Sequence, residues 1–283
     1  MKYYIVICAH NEEEFIEKTL QSVIDQSVLP EKVIIVNDHS TDNTESIIDG
    51  FTREYGLLSK INNYSSELHM PGSKVVQAFY KGLSELDEAY DFIVKLDADI
   101  ILPQNYFERI IELIQLNPKA GILGGFAYEQ GKDKSWQLNH PMNKDHVRGA
   151  FKAYTKNCFK AIGGLKKAMG WDTIDELLAR YHGYSVITDS SLKVKHLRPL
   201  GSSYPKQARF LQGKAMYGMR YGLILSVISS LKMAYARKNF GLFGNTIQGY
   251  LQAKRKKAPF LVNEKEGGFI RNYRWKSIKN KLF

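Results

Sequence analysis

Cysteine is scarce in this chain. The 283 residues contain two cysteines, Cys8 and Cys158, which lie far apart and form no Cys-x-x-Cys pair. A disulfide scaffold or a zinc cluster needs more thiols at closer spacing, so neither is expected to organise the fold. Two isolated thiols are typical of a protein in a reducing compartment, and we therefore expect a cytoplasmic location.

Long hydrophobic runs are missing as well. The most apolar stretch, residues 221–231, has roughly 11 residues, whereas a membrane-spanning helix needs about 20. The N-terminal sequence MKYYIVICAH is too short for a signal peptide, because charged residues follow it at once. We therefore predict neither a transmembrane helix nor a cleaved leader.

Acidic residues are almost absent from the last part of the chain. The net charge is +11, yet residues 205–283 contain 17 lysines and arginines against two acids, Glu264 and Glu266, and residues 1–204 carry −4. This asymmetry predicts two regions, a body over 1–204 and a helical, basic, aromatic-rich region over 205–283. The basic region is expected to meet an anionic partner, either nucleic acid or a membrane surface.

The first 204 residues alternate between apolar strands and amphipathic helices. Residues 3–9 and 32–36 are β-branched and aromatic runs typical of buried strands. Between them apolar residues recur at helical spacing through Gln26, and Asn11 is predicted to cap this helix. A strand, a helix and a strand with short connections predict a parallel βαβ unit. The predicted fold class is α/β, a mostly parallel sheet flanked by helices.

Further elements are predicted along the same body. Strands are expected within residues 57–71, 91–97, 121–128, 147–154 and 184–195, and helices over 44–55, 72–89, 103–116, 156–162 and 172–182. Residues beyond 205 are expected to be helical.

An acidic pair follows the apolar run FIVKL. Asp97 and Asp99 are separated by one residue, so in extended chain both side chains point to the same side. Two negative charges at such a short distance repel each other, and a bound hard cation such as Mg²⁺ or Mn²⁺ removes the repulsion. The carboxyl ends of strands in open α/β sheets also bind ligands. The pair predicts a metal site for a diphosphate; the alternative is a turn cap and a solvated loop residue.

Five segments resemble the family 2 glycosyltransferases, which have the GT-A nucleotide-sugar-binding fold. In chain order they are ICAHNEEEFIEKTLQSVIDQS, IIVNDHSTDNT, KLDADI, GWDTIDELLARYHGYSV and KHLRP, and they lie between Tyr3 and about Pro199. The resemblance implies a GT-A-like, Rossmann-type sheet and an enzyme of bacterial surface-polysaccharide synthesis.

The resemblance implies a nucleotide-binding region. In this family the loop after the first strand lines the base and the ribose, and here it contains Cys8, Ala9, His10 and Glu12. The ring of His10 is expected on a uracil face, and Glu12 is expected to accept from a ribose hydroxyl. Asp38 is similar to the aspartate that accepts the base N3–H, which favours uracil or guanine. The alternatives are a solvated histidine and a turn-capping aspartate.

The resemblance also assigns metal and phosphate ligands. It gives Asp97 to the ribose or the metal, Asp99 to the metal at the diphosphate, and His196 to a third metal position. The cation, Mn²⁺ or Mg²⁺, would stabilise the departing nucleoside diphosphate. Lys74 and Arg198 are candidates for contact with phosphate. A surface histidine and a solvated lysine are the alternatives for His196 and Lys74.

Inverting transfer needs a carboxylate that takes a proton from the acceptor hydroxyl. The family commonly has Glu-Asp at the start of a helix before a Gly-Tyr pair, and here Gly183 and Tyr184 put Trp171-Asp172 at that position. Asp172 keeps the carboxylate, while Trp171 departs from the usual glutamate. Asp172 is the candidate base, and Asp175, on the same helix face, is the alternative. Either could be an ordinary acid of a first helical turn.

Several other side chains are candidates for contact with substrates. Trp136 and Trp171 offer apolar faces to a sugar ring, although a tryptophan in the core is an equal alternative. Arg148 precedes Gly149 in a segment that borders the acceptor site in relatives. In residues 254–283, basic residues alternate with aromatic ones, which suits a segment lying on an anionic leaflet. No nucleic-acid-binding motif is present, so we expect no nucleic acid partner.

These observations predict an inverting, metal-dependent glycosyltransferase. It would move a sugar from a UDP-sugar to a hydroxyl of a glycan or polyprenyl-linked glycan, as a peripheral protein at the inner face of the cell membrane. A nucleotidyltransferase is the alternative enzyme, but it usually has a glycine-rich phosphate loop where this chain has acidic HNEEEF. A non-catalytic nucleotide-sugar-binding partner that docks on membranes is the alternative outside enzymes.

Overall fold

The computed structural model describes residues 1–64, 72–131, 133–139, 145–198 and 209–282, and within them the chain is an α/β protein. The strands are β1 (Tyr3–Ala9), β2 (Lys32–Asp38), β3 (Leu58–Asn63), β4 (Phe92–Asp97), β5 (Ile100–Ile101), β6 (Ala120–Gln130), β7 (Trp136–Leu138), β8 (Phe151–Thr155) and β9 (Ser185–His196). The helices are α1 (Ile16–Ile24), α2 (Thr44–Glu54), α3 (Ser73–Leu83), α4 (Tyr106–Leu116), α5 (Lys156–Ala161), α6 (Trp171–Tyr181), α7 (Leu211–Gly218), α8 (Leu223–Ala236), α9 (Gly241–Arg255) and α10 (Glu264–Leu282).

The described strands form one sheet in the order β3-β2-β1-β4-β8-β6-β9-β5, with β7 paired to β6. β1 is parallel to both β2 and β4, and β2 is parallel to β3. Helices cover both faces of such strands, so Ile5, Val6 and Ile7 of β1 each expose 0% of their surface. The predicted parallel βαβ unit is confirmed.

The parallel order is interrupted by β8, which lies between β4 and β6 and is antiparallel to both. Because β8 runs against β4, its first residue, Phe151, pairs with Leu96 near the carboxyl end of β4. The N–H of Asp97 then donates to the carbonyl of Ala150 over 2.8 Å. The loop before β8 therefore lies beside the acidic pair.

Ile100 and Ile101, which directly follow Asp99, form β5, and β5 pairs antiparallel with the end of β9. Ile100 lies opposite His196, and the N–H of Leu197 donates to the carbonyl of Asp99 over 2.9 Å. The sequence analysis did not predict β5, because two residues are too few to show a period. This short strand brings the end of β9 to the acidic pair.

The first helix begins later than predicted, at Ile16. Asn11 does not cap it: its φ is +53°, and its side-chain oxygen accepts from the N–H of Thr41 over 2.8 Å. The carbonyl of Glu12 instead accepts from the N–H groups of Phe15 and Ile16, which forms a turn before the helix. Asn11 thus joins the loop after β1 to the loop after β2.

Other differences concern element ends. α3 ends at Leu83 although a helix over 72–89 was predicted, because the polar residues that follow offer no continuous buried face. The predicted strand within 57–71 is β3, and residues 65–71 lie outside the described part of the chain. The predicted division between 204 and 205 also lies outside the described residues.

Helices α7–α10 are packed on the sheet domain. Met216, Met219, Leu225 and Ile270 belong to the same hydrophobic cluster as the strands of the sheet. Among the described residues, no helix combines the length and the apolar character needed to cross a bilayer.

Part of the apolar and aromatic set of α10 packs against the protein, whereas Trp275 is exposed. Ile270 exposes 0% of its surface, and the ring of Phe269 lies 5.6 Å from the ring of Tyr181 on α6. The guanidinium of Arg180 lies 5.6 Å from the ring of Tyr273. These contacts hold α10 against α6. The buried Ile270 cannot face a membrane, whereas for the rest of residues 254–283 membrane contact stays a prediction.

Candidate functional site

The loops after β1, β2 and β4 lie side by side at one edge of the sheet. In the strand register Ala9 is opposite Asn37, and Cys8 is opposite Asp97. The Nδ1 of His10 donates to the carbonyl oxygen of Asp38 over 2.6 Å. The structure thus brings the predicted nucleotide loop together with Asp38 and Asp97, at the edge where open α/β sheets bind ligands.

Three of the predicted nucleotide ligands differ in how they meet this edge. Asp38 exposes 8% of its surface, and the Nδ2 of Asn63 donates to its Oδ1 over 2.8 Å, which fixes the carboxylate. His10 is exposed, so its ring face is accessible. The thiol of Cys8 points at the carbonyl of Val75, and burial raises its pKa to about 12. Cys8 and the buried Ala9 therefore shape the loop without reactive chemistry of their own.

Glu12 and Arg198, predicted to contact ribose and phosphate, bind each other. The Nη2 of Arg198 donates to the Oε2 of Glu12 over 2.7 Å, and its guanidinium lies 5.5 Å from the ring of Phe15. Burial and the charge of Asp99 raise the pKa of Glu12 to about 8, although Arg198 opposes this shift. The pair joins the end of β9 to the loop after β1.

Asp97 is paired with Lys95, a residue that the sequence analysis missed. Lys95 exposes 1% of its surface, and its Nζ forms a salt bridge with the Oδ1 of Asp97. Burial raises the pKa of Asp97, the ammonium of Lys95 lowers it, and Asp99 raises it further, so that the net shift is upward. Side chains two residues apart on one strand point to the same face, so the pairing of Lys95 with Asp97 could have been predicted from the sequence.

Asp99 and His196 form a buried acid–histidine pair beside Asp97. Their Oδ2 and Nε2 atoms are 3.2 Å apart, and both residues are 7% exposed. Burial lowers the pKa of His196, but the hydrogen bond to Asp99 and the nearby carboxylates outweigh it and raise the pKa. The Oε1 of Glu129 lies 4.0 Å from the Nδ1 of the same ring.

The side chains of Asp99 and His196 are suitable ligands for a divalent cation that keeps coordination positions free for other ligands. Within the described ranges, no group of three or more His, Cys, Asp or Glu side chains has the geometry of a complete metal site. A carboxylate oxygen of Asp99 and the Nε2 of His196 supply two ligands of the kind Mn²⁺ accepts. A carboxylate beside the other ring nitrogen, here that of Glu129, is a common way to orient a ligating histidine. The remaining positions would be filled by substrate oxygens and water.

Asp172 lies in the first turn of α6 and is half-buried. A Cβ added to Gly149 would stand 3.2 Å from the Cβ of Asp172 and 2.9 Å from the ring of Trp171, so the loop before β8 runs directly against this turn. Because Ala150 of the same loop binds Asp97, the candidate base and the acidic pair share one short loop.

Asp175, the alternative base, is buried in a closed network. It exposes 1% of its surface, and it accepts from the Nζ of Lys152 over 3.0 Å and from the hydroxyl of Tyr154 over 2.6 Å. Glu176 accepts from the same Nζ over 3.1 Å and from the N–H of Val147 over 2.8 Å. A carboxylate enclosed in this way has no path to an acceptor hydroxyl, so Asp172 is the better candidate.

Two buried lysines, neither predicted from the sequence, lie below the site. Lys95 of β4 and Lys152 of β8 are direct cross-strand partners, and their Nζ atoms lie 5.3 and 5.8 Å from the ring of Trp171. Trp171 exposes 6% of its surface, so it is a core residue that packs on both ammonium groups and has little face for a sugar. Lys152 also donates to the carbonyl of Asp172 over 2.5 Å. The sequence feature that could have revealed them is a single lysine within each of these two apolar strands.

The remaining predicted residues lie around the site. Lys74 is half-buried in the first turn of α3. The Nη2 of Arg148 donates to the Oδ1 of Asn139 over 2.7 Å, and its Nε is buried without a hydrogen-bond partner among the described residues. The ring of Trp136 in β7 has the ammonium of Lys195 at 5.2 Å.

Comparisons with known proteins agree with this arrangement. The family model described as glycosyl transferase family 2 matches residues 4–169. The poly-beta-1,6-N-acetyl-D-glucosamine synthase of Staphylococcus aureus (strain COL) is 30% identical over 120 residues, which are 42% of this chain and 27% of that protein. An uncharacterized glycosyltransferase of Haemophilus influenzae is 25% identical over 122 residues, 43% of this chain and 35% of that protein. The matches thus span well under half the length of these curated relatives.

Solved structures share the fold. TarS 1–349 of S. aureus in complex with UDP-GlcNAc has a TM-score of 0.65 at 15% identity, and the match covers 99% of this chain and 92% of that chain. A mannosyltransferase from Pyrobaculum calidifontis in complex with GDP-Man and Mn²⁺ has a TM-score of 0.58 at 14% identity, with 98% and 80% covered. The sheet is therefore of the GT-A glycosyltransferase type.

The family match covers part of the candidate site, whereas Asp172, His196 and Arg198 follow the matched range. Residues 4–169 include more than half of the chain, with β1, β2, β4 and the loops that carry Asp38, Asp97 and Asp99. The chain belongs to glycosyl transferase family 2.

Proposed function

We propose that this protein is an inverting, metal-dependent glycosyltransferase that uses a nucleoside diphosphate sugar. The observation that carries the proposal is the gathering of Asp38, the Asp99–His196 pair and Asp172 around loops at one edge of the sheet. These groups supply a base-binding acceptor, two cation ligands and a proton acceptor, which are the parts that this transfer requires.

UDP is the proposed nucleotide. The carboxylate of Asp38, held by Asn63, is suited to accept the N3–H of uracil, and the exposed ring of His10 stands beside it. TarS, with the same fold, was solved with UDP-GlcNAc, and the mannosyltransferase was solved with GDP-Man and Mn²⁺. Guanine carries the same donor, so GDP-sugars are the donors to compare.

Asp99 and His196 would hold the cation, Mn²⁺ or Mg²⁺, at the diphosphate. When bound, the cation supplies electrostatic stabilisation to the departing nucleoside diphosphate. Asp97 is proposed to bind the ribose or to complete the cation shell, which its position at the end of β4 and its salt bridge with Lys95 support. Arg198 and Lys74 are the nearby cationic side chains proposed to contact phosphate.

Asp172 acts as the general base in this proposal. Its carboxylate takes the proton of an acceptor hydroxyl while that oxygen forms a bond to the anomeric carbon, on the face opposite the breaking bond to the diphosphate. The configuration at that carbon is therefore inverted. Arg148 is proposed to meet an anionic group of the acceptor, a role supported by its Nε, which is buried without a hydrogen-bond partner among the described residues.

The proposed acceptor is a glycan or polyprenyl-linked glycan of a bacterial surface polysaccharide, reached at the inner face of the cell membrane. The relatives point to polysaccharide synthesis, since one is named a poly-beta-1,6-N-acetyl-D-glucosamine synthase. The excess of basic residues after 205 suits an anionic membrane surface. No nucleic acid partner is proposed.

Asp172→Asn tests the proposal. UDP binding with Mn²⁺, measured by calorimetry, should stay within about twofold of wild type, whereas turnover of the best donor from a panel of UDP- and GDP-sugars should fall by roughly 10²–10⁴-fold, the usual worth of a general base. Asp25→Asn is the matched control, because Asp25 is an exposed acid that directly follows the last residue of α1. If wild type binds no nucleotide of the panel, or if Asp172→Asn turns over normally, the proposal fails.

A further inference from the structure

Helix α8 presents several large apolar side chains to solvent and small ones to the protein, although Leu225 near its start is 2% exposed and packs in the core. Ser226, Ser230 and Ala234 each expose 0% of their surface, whereas Ile224 exposes 67% and Tyr235 exposes 80%. The buried hydroxyls do not need protein partners from other elements: Ser226 donates to the carbonyl of Gly222 over 2.7 Å, and Ser230 donates to that of Ser226 over 2.6 Å. The helix is inverted relative to an ordinary surface helix.

The exposed apolar side chains lie along one side of α8 and continue past its end. Leu231, one turn before Tyr235, exposes 47%, and Phe240 in the turn after α8 exposes 72%. α9 adds a shallow groove of about 400 Å³ that is lined by Phe243, Ile247 and Leu251, among others. Exposed apolar patches of this kind mark contact surfaces.

Charge around this surface is of one sign. From residue 209 to residue 263 the sequence contains no aspartate or glutamate, but it contains ten lysines and arginines. Lys232, Arg237 and Lys238 are exposed within or directly after α8. A surface that combines apolar side chains, aromatic rings and an excess of basic residues is complementary to an anionic lipid leaflet.

The dimensions favour a helix that lies in the leaflet. α8 has 14 residues, so it is about 21 Å long, which is shorter than the hydrocarbon core of about 30 Å. Its serine face is occupied by the rest of the protein, so only the outer face is available. Tyr235 and Phe240 are residues of the kind that settle at the headgroup level.

We propose that the outer face of α8, with the turn that leads into α9, inserts into an anionic membrane leaflet and holds the protein there. The membrane contact is thereby assigned to residues 223–240 and not to Phe269 and Tyr273 of α10, whose rings contact α6. The inference deepens the proposed function, because it names the surface through which a lipid-linked acceptor would be reached.

Co-sedimentation with vesicles tests this assignment. Vesicles of phosphatidylcholine with phosphatidylglycerol should bind the full-length wild type, and vesicles of phosphatidylcholine alone should bind it much less. The double variant Ile224→Asp/Leu231→Asp should lose roughly tenfold or more of the partition coefficient, because two apolar anchors become charged. Leu116→Asp is the matched control, since Leu116 on α4 exposes 71% of its surface and lies outside α8.

Three further results decide the matter. UDP binding by the double variant should equal that of wild type, which shows that it is folded and separates this proposal from the proposed function. If wild type sediments with both vesicle types equally or with neither, or if the double variant sediments like wild type, the proposal is overturned. If wild type is a dimer by light scattering and Leu231→Asp makes it a monomer, a second copy covers this face and the membrane is excluded.

Discussion

Substitution of Lys152 should lower the stability of the protein. It is fully buried and its ammonium contacts Asp175, Glu176 and the carbonyl of Asp172. Burial lowers the pKa of Lys152, but the three acids nearby outweigh it and raise the pKa, so the residue stays charged. Lys152→Met leaves the buried carboxylate of Asp175 without its counter-charge. It also removes one of the cationic partners of Glu176, which keeps His146 and Arg180. We expect the free energy of unfolding to fall by about 3–5 kcal/mol in urea titrations.

Two variants make this prediction specific. Lys193→Met removes an exposed lysine from β9 and should change stability by no more than about 0.5 kcal/mol. Adding Asp175→Asn and Glu176→Gln to Lys152→Met should restore part of the loss, because the stranded charges are then removed. If the triple variant is less stable than the single one, the cost comes from packing around Trp171 and not from unpaired charge.

Glu12 should make the stability depend on pH. Burial and the charge of Asp99 raise its pKa from 4.5 to about 8, so between these values the folded state binds a proton that the unfolded state releases. The stabilisation from this proton is present below pH 4.5 and is lost as the pH rises to about 8. Thermal unfolding at a series of pH values should show a steeper decline for wild type than for Glu12→Gln.

The exposed Glu14 provides the comparison for this measurement. Glu14→Gln removes one acid from the same loop, two residues away, and should keep the slope of wild type. Equal slopes for wild type and Glu12→Gln would mean that the salt bridge with Arg198 keeps Glu12 ionised throughout.

At the scale of elements, α7 and α9 depend on glycine for their close approach. A Cβ on Gly213 would overlap the carbonyl oxygen of Thr246, and one on Gly249 would overlap that of Phe210. A Cβ on Gly244 would meet nothing within 4 Å. Gly249→Ala should therefore lower the thermal midpoint, whereas Gly244→Ala, on the same helix, should raise stability by roughly 1 kcal/mol through helix propensity. Equal effects of the two substitutions would contradict this account of the packing.

The same scale shows which elements a sequence reveals. β1, β2 and β4 are buried on both faces, so their apolar runs are visible without neighbours, and the parallel unit follows from their spacing. The antiparallel direction of β8 and the pairing of β5 with β9 depend on long-range contacts that leave no local pattern. Asn11 was misassigned because a cap and a loop-to-loop hydrogen bond use the same residue type.

The site divides in a similar way. Asp97 and Asp99 could be predicted because two acids at the end of an apolar strand are unusual, and Asp38, His196 and Asp172 depended on likeness to a family. Lys95 and Lys152 were missed, since pattern-based analysis treats a lysine in a strand as a surface residue. Only the strand register shows that they face each other, below the site.

At the scale of the whole molecule, the cation and the nucleotide should bind as a coupled pair. The described part of the chain offers two close candidate ligands, Asp99 and His196, and no complete metal group, so in our proposal oxygens of the diphosphate join water in the remaining positions. We expect Mn²⁺ to increase the affinity for UDP by about 5–150-fold, and UDP to increase the affinity for Mn²⁺ by the same factor. Calorimetric titrations in both orders measure the two factors.

The coupling between Mn²⁺ binding and UDP binding should disappear when either the diphosphate or a cation ligand is removed. Uridine has no diphosphate, so Mn²⁺ should leave its affinity unchanged, and Asp99→Ala should remove the coupling for UDP while Asp25→Ala retains it. A chelator should abolish the effect without altering the circular dichroism spectrum, because the hydrophobic cluster that joins the sheet to α7–α10 includes none of the proposed ligands. If Mn²⁺ increases the affinities for uridine and UDP equally, the cation does not act at the diphosphate, and the assignment of Asp99 and His196 is wrong.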